Sequence, residues 1–170
     1  MLDKRIVGLI NSQINKEFYS SYLYLDMSNF FYDKNLSGFG NWFGIQVQEE
    51  YAHAMLFLKY MINNGEKVVL DSIAKPAIEL SSIAQVLEET YQHELLISKW
   101  INDICVVAYE LKDFKTKQFL DWFVKEQGEE EQKTNDLCKR YELFGTDPRG
   151  LYMLDAELST RVFVTPTLVV

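Results

Sequence analysis

Proline, cysteine and positive charge are all scarce in this chain of 170 residues. The three prolines, Pro76, Pro148 and Pro166, stand outside the long periodic stretches, so those stretches are free to form long helices. The two cysteines, Cys105 and Cys138, are far apart and form no Cys-x-x-Cys pair. Their scarcity excludes a disulfide framework and a cysteine-based zinc site, and it suits a reducing compartment. We therefore predict a cytoplasmic location.

The balance of charge is acidic, with 17 Lys and Arg against 25 Asp and Glu and a formal net charge of −8. This balance argues against nucleic acid as a partner, because phosphate binding needs a surplus of basic residues. It favours the attraction of cations instead. No apolar run suggests a membrane span or a signal peptide, so no membrane partner is expected. The chain is 48% hydrophobic, which is enough to bury the core of one domain.

Apolar residues recur at steps of three and four along four long stretches, which is the seam pattern of helices packed in a bundle. The predicted helices span 2–31, 37–64, 82–111 and 116–145, and a short fifth helix runs from Pro148 to Leu158. The first and third connections are short, so the helices that they join are antiparallel neighbours. Residues 66–81 form a longer crossover, which leaves the second and third helices parallel. The predicted fold class is all-α, a four-helix bundle of two antiparallel hairpins joined by a long crossover, with a short fifth C-terminal helix.

Each of the four seams is apolar at both ends and polar in its middle. The polar members are Glu17, Glu50 with His53 alongside, Glu94, and Gln127 with Glu130. Antiparallel hairpins bring these positions to one level, where no lysine or arginine of any seam is available to pair the carboxylates. Unpaired buried carboxylates either take up protons or bind a cation. Carboxylates with an imidazole and no cysteine suit iron or manganese better than structural zinc.

A structural interpretation stands beside the functional one for each of these residues. A single glutamate on an apolar seam is usually partly exposed, and a lone histidine such as His53 is more often a core residue. Four seams that turn polar at the same height are much harder to explain in this way. Tyr24 lies seven residues after Glu17 on the same seam. It is either a core aromatic or a phenol that gives a metal pair a hydrogen bond or an electron.

Residues beside the seams have two interpretations as well. His93, adjacent to Glu94, is predicted to point to the surface. Glu49, Glu126 and Glu129 flank the seams of the second and fourth helices. These three carboxylates form either an extra cation site beside the metal pair or an ordinary solvated face.

These polar residues resemble the ferroxidase residues of bacterial non-haem ferritins. The matching positions are Glu17, Tyr24, Glu49-Glu50-x-x-His53, Glu94, Glu126-Gln127-x-x-Glu130, Gly150-Leu151-Tyr152 and Glu157-Leu158-Ser159-Thr160. The resemblance covers 1–161, which is predicted as a ferritin-like di-iron domain, and leaves 162–170 as a tail of unknown role. It implies a homo-oligomeric shell of twenty-four subunits that oxidises Fe(II) with O₂ or peroxide and stores a ferric mineral inside.

The resemblance also implies a role for each matching residue. The first iron would be held by Glu17, Glu50 and His53, and the second by Glu94 and Glu130, with Glu50 bridging and Gln127 nearby. A third iron site would consist of Glu49, Glu126 and Glu129 with Glu130. Tyr24 would be the catalytic tyrosine beside the pair.

Several motifs of related ferritin-like families are missing from this chain. A bacterioferritin would carry a second Glu-x-x-His where this chain has Gln127 and Glu130. Tyr51 stands where bacterioferritins place the haem-ligating methionine, so no haem is expected. The Cys-x-x-Cys motifs of rubrerythrins and the basic tail of DNA-protecting miniature ferritins are also absent.

Two other functions stay open at this point. One is a di-iron carboxylate oxidase or peroxide scavenger without mineral storage, and the other is a helical interaction module whose acidic seams are structural. Five aromatic residues are predicted on the surface, where an oligomer would bury them between subunits: Phe30, Tyr32, Phe39, Trp42 and Tyr60.

Overall fold

The computed structural model describes residues 1–170 and contains five α-helices and no strand. The helices are α1 (Lys4–Asp33), α2 (Ser37–Asn63), α3 (Ile83–Glu110), α4 (Phe114–Arg140) and α5 (Pro148–Leu158). A π-helical turn at Tyr141–Gly145 continues α4. An apolar stretch of membrane-spanning length is absent from every helix. The predicted all-α class is confirmed, as are all five predicted helices.

The helices begin where the sequence supplies capping side chains. In α1, α3, α4 and α5, a backbone N–H of the first turn donates a hydrogen bond to the side chain of the N-cap residue. These N-cap residues are Asp3, Ser82, Asp113 and Asp147. The start of α2 is capped from another helix, because Asp155 Oδ1 of α5 accepts from Phe39 N at 2.9 Å. Gly38 permits this approach, since a Cβ there would lie 1.6 Å from the carbonyl oxygen of Asp155.

The helix directions follow from the contacts between side chains. α1 packs mainly against α2, and α3 mainly against α4. Ser20 of α1 contacts His93 of α3, whereas Met27, further along α1, contacts Thr90, which is earlier in α3. α1 and α3 are therefore antiparallel. Because the short first loop also makes α1 and α2 antiparallel, α2 and α3 run parallel, as the long crossover predicted.

The crossover between α2 and α3 runs alongside α1. Asn11 Oδ1 accepts a hydrogen bond from the backbone N–H of Val69 at 2.8 Å, and Asn15 Nδ2 donates to the carbonyl of Ser72 at 3.1 Å. These bonds satisfy backbone groups of a segment that has no regular structure of its own. They fix the segment along the side of the bundle.

The core is divided into two apolar clusters of 13 and 12 buried residues. On α1, Ile6 and Ile10 belong to the first cluster, and Met27 and Phe31 to the second. Buried polar residues lie between the clusters on all four long helices. This polar layer comprises Gln13, Glu17, Ser20, Gln46, Glu50, His53, Thr90, His93, Glu94, Gln127 and Glu130.

The predicted surface position of the five aromatic residues is only partly right. Tyr32 is 52% exposed and Phe30 is half-buried, but Phe39, Trp42 and Tyr60 are buried. The fifth helix covers the start of α2, and Tyr60 stacks on an aromatic ring of α4. Seam periodicity within one helix does not show that a second element covers its other side.

Residues 162–170, here called the tail, have no regular secondary structure. No backbone–backbone hydrogen bond joins them to the rest of the chain. Leu168 and Val170 nevertheless pack against the first apolar cluster. The tail therefore returns along the bundle after α5 and is held there by side chains.

Candidate metal centre

Glu17, Glu50 and His53 come together in the middle of the bundle. Glu17 projects from α1, and Glu50 and His53 lie one helical turn apart on α2, so the two helices face each other with three potential ligands. One ligand atom from each residue lies within 4.8 Å of the others, and His53 Nδ1 is 3.5 Å from Glu50 Oε2. All three residues are at most 2% exposed. This spacing lets three side chains hold one cation.

Four buried oxygen atoms in this layer have no hydrogen-bond partner. They are Gln13 Oε1, Glu17 Oε2 and both carboxylate oxygens of Glu50. Gln13 supports the site from one turn earlier on α1, because its Nε2 donates to Glu17 Oε1 at 2.8 Å. Buried polar atoms are nearly always hydrogen-bonded, so four orphaned acceptors in one place require an explanation. A metal cation supplies one, since it accepts electron pairs from several oxygens at once.

The acid–base properties of these carboxyl groups point the same way. Burial, with the charge of Glu50 as the next cause, raises the pKa of Glu17 to about 8. Burial, followed by the charge of Glu130, raises the pKa of Glu94 to about 8 as well. Burial and the charge of Glu94 hold the pKa of Glu50 well above its usual value. Without a cation, Glu17 and Glu94 therefore favour their protonated forms at neutral pH.

Glu94 has partners on both of its carboxylate oxygens. The Tyr24 hydroxyl donates to Glu94 Oε1, and Gln127 Nε2 donates to Glu94 Oε2 at 3.0 Å. Gln127 therefore lies beside Glu94, as the resemblance implies for the second ion. Tyr24 is completely buried and acts as a hydrogen-bond donor, which is one of the roles predicted for it.

Glu130 is buried in the same layer but has partners of its own. Gln46 Nε2 donates to Glu130 Oε2 at 3.1 Å, and Lys133 Nζ donates to Oε1 at 2.6 Å. No lysine or arginine of a seam pairs these carboxylates, but a lysine beside the seam pairs Glu130. Lys133 lies off the seam, but it is one turn after Glu130 on α4 and bends back to it. The i, i+3 spacing was the signal for this pair.

The predicted surface position of His93 is also wrong. His93 is 8% exposed, and its Nε2 lies 2.8 Å from Ser20 Oγ of α1. Burial lowers its pKa to about 4, so the ring is neutral. α3 packs against α1 as well as α4, so a position beside the seam is buried too.

The three flanking carboxylates lie around a cavity of about 410 Å³ on the α2–α4 side of the centre. Glu49, Glu126 and Glu129 line it together with His53. Two of them have basic partners, because Arg161 Nη2 lies 2.6 Å from Glu49 Oε2 and a lysine Nζ lies 3.5 Å from Glu129 Oε1. Arg161 was not expected here, and no periodicity in the sequence indicates where it would lie.

A family profile described as a ferritin-like domain matches residues 7–144. A probable bacterial non-haem ferritin-like protein of Haemophilus influenzae is 36% identical over 158 residues, which cover 93% of this chain and 96% of that protein. The bacterial non-haem ferritin of Campylobacter jejuni is 37% identical over 155 residues, covering 91% and 93%. A solved structure of an engineered closed form of the Archaeoglobus fulgidus ferritin has a TM-score of 0.94 at 39% identity, and covers 96% of this chain and 100% of that one.

The fold and the centre define a four-helix-bundle protein with a metal site of carboxylates and histidine. Its similarity to bacterial non-haem ferritins extends over almost the whole chain. The chain therefore belongs to the ferritin family of iron-storage proteins, as the sequence resemblance predicted. The comparisons do not favour an oxidase without mineral storage.

Proposed function

We propose that this ferritin is a ferroxidase, which binds two Fe(II) ions in the polar layer and oxidises them with O₂ or peroxide. The ferric product then passes to a mineral store. The observation that carries the proposal is the set of orphaned oxygens around Glu17 and Glu50. A bundle whose polar layer served only to fix the helix register would pair these acceptors with hydrogen-bond donors from the neighbouring helices.

The first ion would take Glu17, Glu50 and His53, whose ligand atoms already lie close together. The second would take Glu94 and Glu130, with Glu50 bridging the two ions. Both second-ion ligands have hydrogen-bond partners in the absence of metal. These partners would orient the two carboxylates, since metal-ligating carboxylates are commonly hydrogen-bonded as well.

The ligand set also supports oxidation. Carboxylate oxygens are hard anionic ligands, and they stabilise Fe(III) more than Fe(II), which lowers the reduction potential of the bound ions. The two ions supply one electron each to the oxidant. Tyr24 is held against Glu94 by its hydroxyl, where it can steady that ligand or donate a further electron. The net charge of −8 attracts ferrous ions to the protein.

The number of subunits and the cellular location are part of the same proposal. We propose a homo-oligomeric shell of twenty-four subunits in the cytoplasm. Apolar side chains exposed around α5 support assembly, among them Leu143, Tyr152 and Met153, which are 71–75% exposed in the single chain. Light scattering should give the mass of many chains. A monomer or dimer at micromolar concentration, with and without iron, would contradict the shell.

The ferroxidase centre is tested by replacing Glu50 and His53 together with alanine. This variant should lose the rapid phase of Fe(II) oxidation, because the bridging carboxylate and the imidazole are both removed. Absorbance after rapid mixing of the apo protein with Fe(II) and oxygen measures the rate. Glu110→Ala is the matched control, since it deletes an exposed carboxylate at the end of α3. An unchanged initial rate in the double variant would exclude this site as the oxidation centre.

A third ion at Glu49, Glu126 and Glu129 with Glu130 stays a prediction. Such an ion would be held by carboxylates without an imidazole, and it would not be required for the first oxidation. If an ion occupies this site during turnover, replacing Glu49, Glu126 and Glu129 with alanine should keep the initial phase and change the ratio of Fe(II) oxidised to O₂ consumed. An oxygen electrode measures that ratio. An unchanged ratio would show that these residues hold no ion that takes part in the oxidation.

A further inference from the structure

Arg161, the residue just before the tail, reaches across to α2 and is held there by several contacts. Its Nη2 donates to Glu49 Oε2 at 2.6 Å and to Gln46 Oε1 at 2.5 Å. Its Nη1 donates to the carbonyl of Trp42 at 3.1 Å, and the guanidinium lies 4.6 Å from the centroid of the Trp42 ring. The side chains of Arg161 and Glu49 are only 17% and 16% exposed. This is a largely buried ion pair whose guanidinium is held in place by several hydrogen bonds at once.

The position of this ion pair relates it directly to the metal centre. Glu49 precedes the bridging candidate Glu50 in the chain, and it lines the acidic cavity that His53 also borders. The amide of Gln46 joins Arg161 to Glu130, because its oxygen accepts from Arg161 while its nitrogen donates to Glu130 Oε2. The guanidinium therefore lies where the acidic cavity and the di-iron ligands meet.

We propose that Arg161 fills the third cation position of the centre, so that each chain binds two divalent ions and not three. This inference rests on the proposed ferroxidase centre. A divalent ion that took Glu49 Oε2 as a ligand would compete with the guanidinium for that oxygen. An ion that entered would have to displace Arg161 from Glu49, Gln46 and Trp42 together. The lysine beside Glu130 opposes a third ion in the same way, by adding positive charge where that ion would lie.

The tail beyond Arg161 lines the cavity but brings no charged side chain to it. Val162, Val164 and Thr165 line the cavity, but no backbone–backbone hydrogen bond fixes this segment. The hydrogen-bonded anchor at the start of the segment is Arg161. Asn41 assists it, because its Nδ2 donates to the carbonyl of Arg161 at 3.0 Å. The guanidinium, and not the covering tail, therefore determines how many ions bind.

Cobalt(II) tests the proposal without any oxidation chemistry. Calorimetry and equilibrium dialysis of the apo protein, with metal analysis, should give two Co(II) per chain in the wild type and three in Arg161→Gln. Arg140→Gln is the matched control, because it removes one positive charge from an exposed ion pair with Glu157, and it should still bind two. The double variant Arg161→Gln, Glu49→Gln should return to two, because the carboxylate that Arg161 released is gone.

Three Co(II) in the wild type, or two in Arg161→Gln, would overturn the proposal. A third ion in the double variant would overturn it as well, because that ion would not be using Glu49. Failure of the proposed function has a different signature. In that case the wild type and the variant that lacks Glu50 and His53 would bind the same number of ions, whatever the residue at position 161.

Discussion

Binding of divalent ions to the apo protein at pH 7 should release protons. The cause is the state of the centre before binding, in which Glu17 and Glu94 have pKa values of about 8 because burial disfavours their charged forms. A metal ligand must be a carboxylate, so each of these groups has to lose its proton as the ion binds. The ion and the proton therefore compete for the same oxygens.

The number of protons can be worked out from these values. A group with a pKa of about 8 is roughly 90% protonated at pH 7 by the ordinary titration relation. Glu17 and Glu94 together therefore carry close to two protons. Filling both ion positions at pH 7 should therefore release about two protons per chain from these two groups. The affinity for Co(II) should fall about tenfold per released proton for each pH unit below 7.

Calorimetric titration with Co(II), in buffers that differ in their enthalpy of ionisation, measures this release. The slope of the observed enthalpy against the buffer enthalpy equals the number of protons released per ion. Glu17→Gln should reduce the total by about one proton, because it removes one titrating ligand. A slope near zero at pH 7, with Co(II) fully bound, would refute the argument that these carboxyl groups are protonated in the apo protein.

Three further predictions test other parts of the structure. The folded-state pKa of Glu17 is raised, so the stability that its neutral form contributes is complete below its unfolded pKa of about 4.5 and is lost as pH rises through about 8. The free energy of unfolding of the wild type should therefore fall between pH 6 and 9, and Glu17→Gln should make this fall smaller by about 2–3 kcal/mol. Equal pH profiles of the two proteins in denaturant unfolding would contradict this. Gly128→Ala should raise the stability of α4 by about 0.5–1 kcal/mol, because a Cβ at this exposed helical position meets no atom within 4 Å; an unchanged or lower melting temperature would count against it. Tyr24→Phe should leave Co(II) binding at two ions and slow Fe(II) oxidation in stopped-flow traces, whereas an unchanged rate would make Tyr24 only a core aromatic.

The helices and the polar layer could be predicted because each seam contains its own evidence. The spacing of apolar residues fixes which face of a helix is buried, and a glutamate on that face must enter the interior wherever the helix packs. Four such seams, of similar length and joined by one long and two short connections, place Glu17, Glu50, Glu94 and Glu130 at one level. The polar layer between two apolar clusters confirms that geometry.

The residues that contact the polar layer were much harder to predict from the sequence. Gln13 and Gln46 each lie one helical turn before a glutamate of the seam, but this spacing does not show which atom each of them contacts. His93 was misplaced because its burial depends on α1, which seam periodicity along α3 does not reveal. Arg161 lies in a segment without periodicity, and its contact with Glu49 depends on the direction in which the chain turns after α5. Long-range contacts of this kind are set by packing alone.

The polar layer weakens the apo bundle at the place where the metal ions bind. Leaving a buried acceptor without a partner costs about 1–3 kcal/mol, and the layer contains four such atoms. The apolar clusters on either side keep the four helices together despite that cost. An ion that satisfies those oxygens removes the cost, so part of its binding energy appears as stability of the fold. If donors of the chain satisfied these four acceptors, an ion bound in the layer would no longer stabilise the fold in this way. The same atoms that make the apo protein less stable therefore give it affinity for iron.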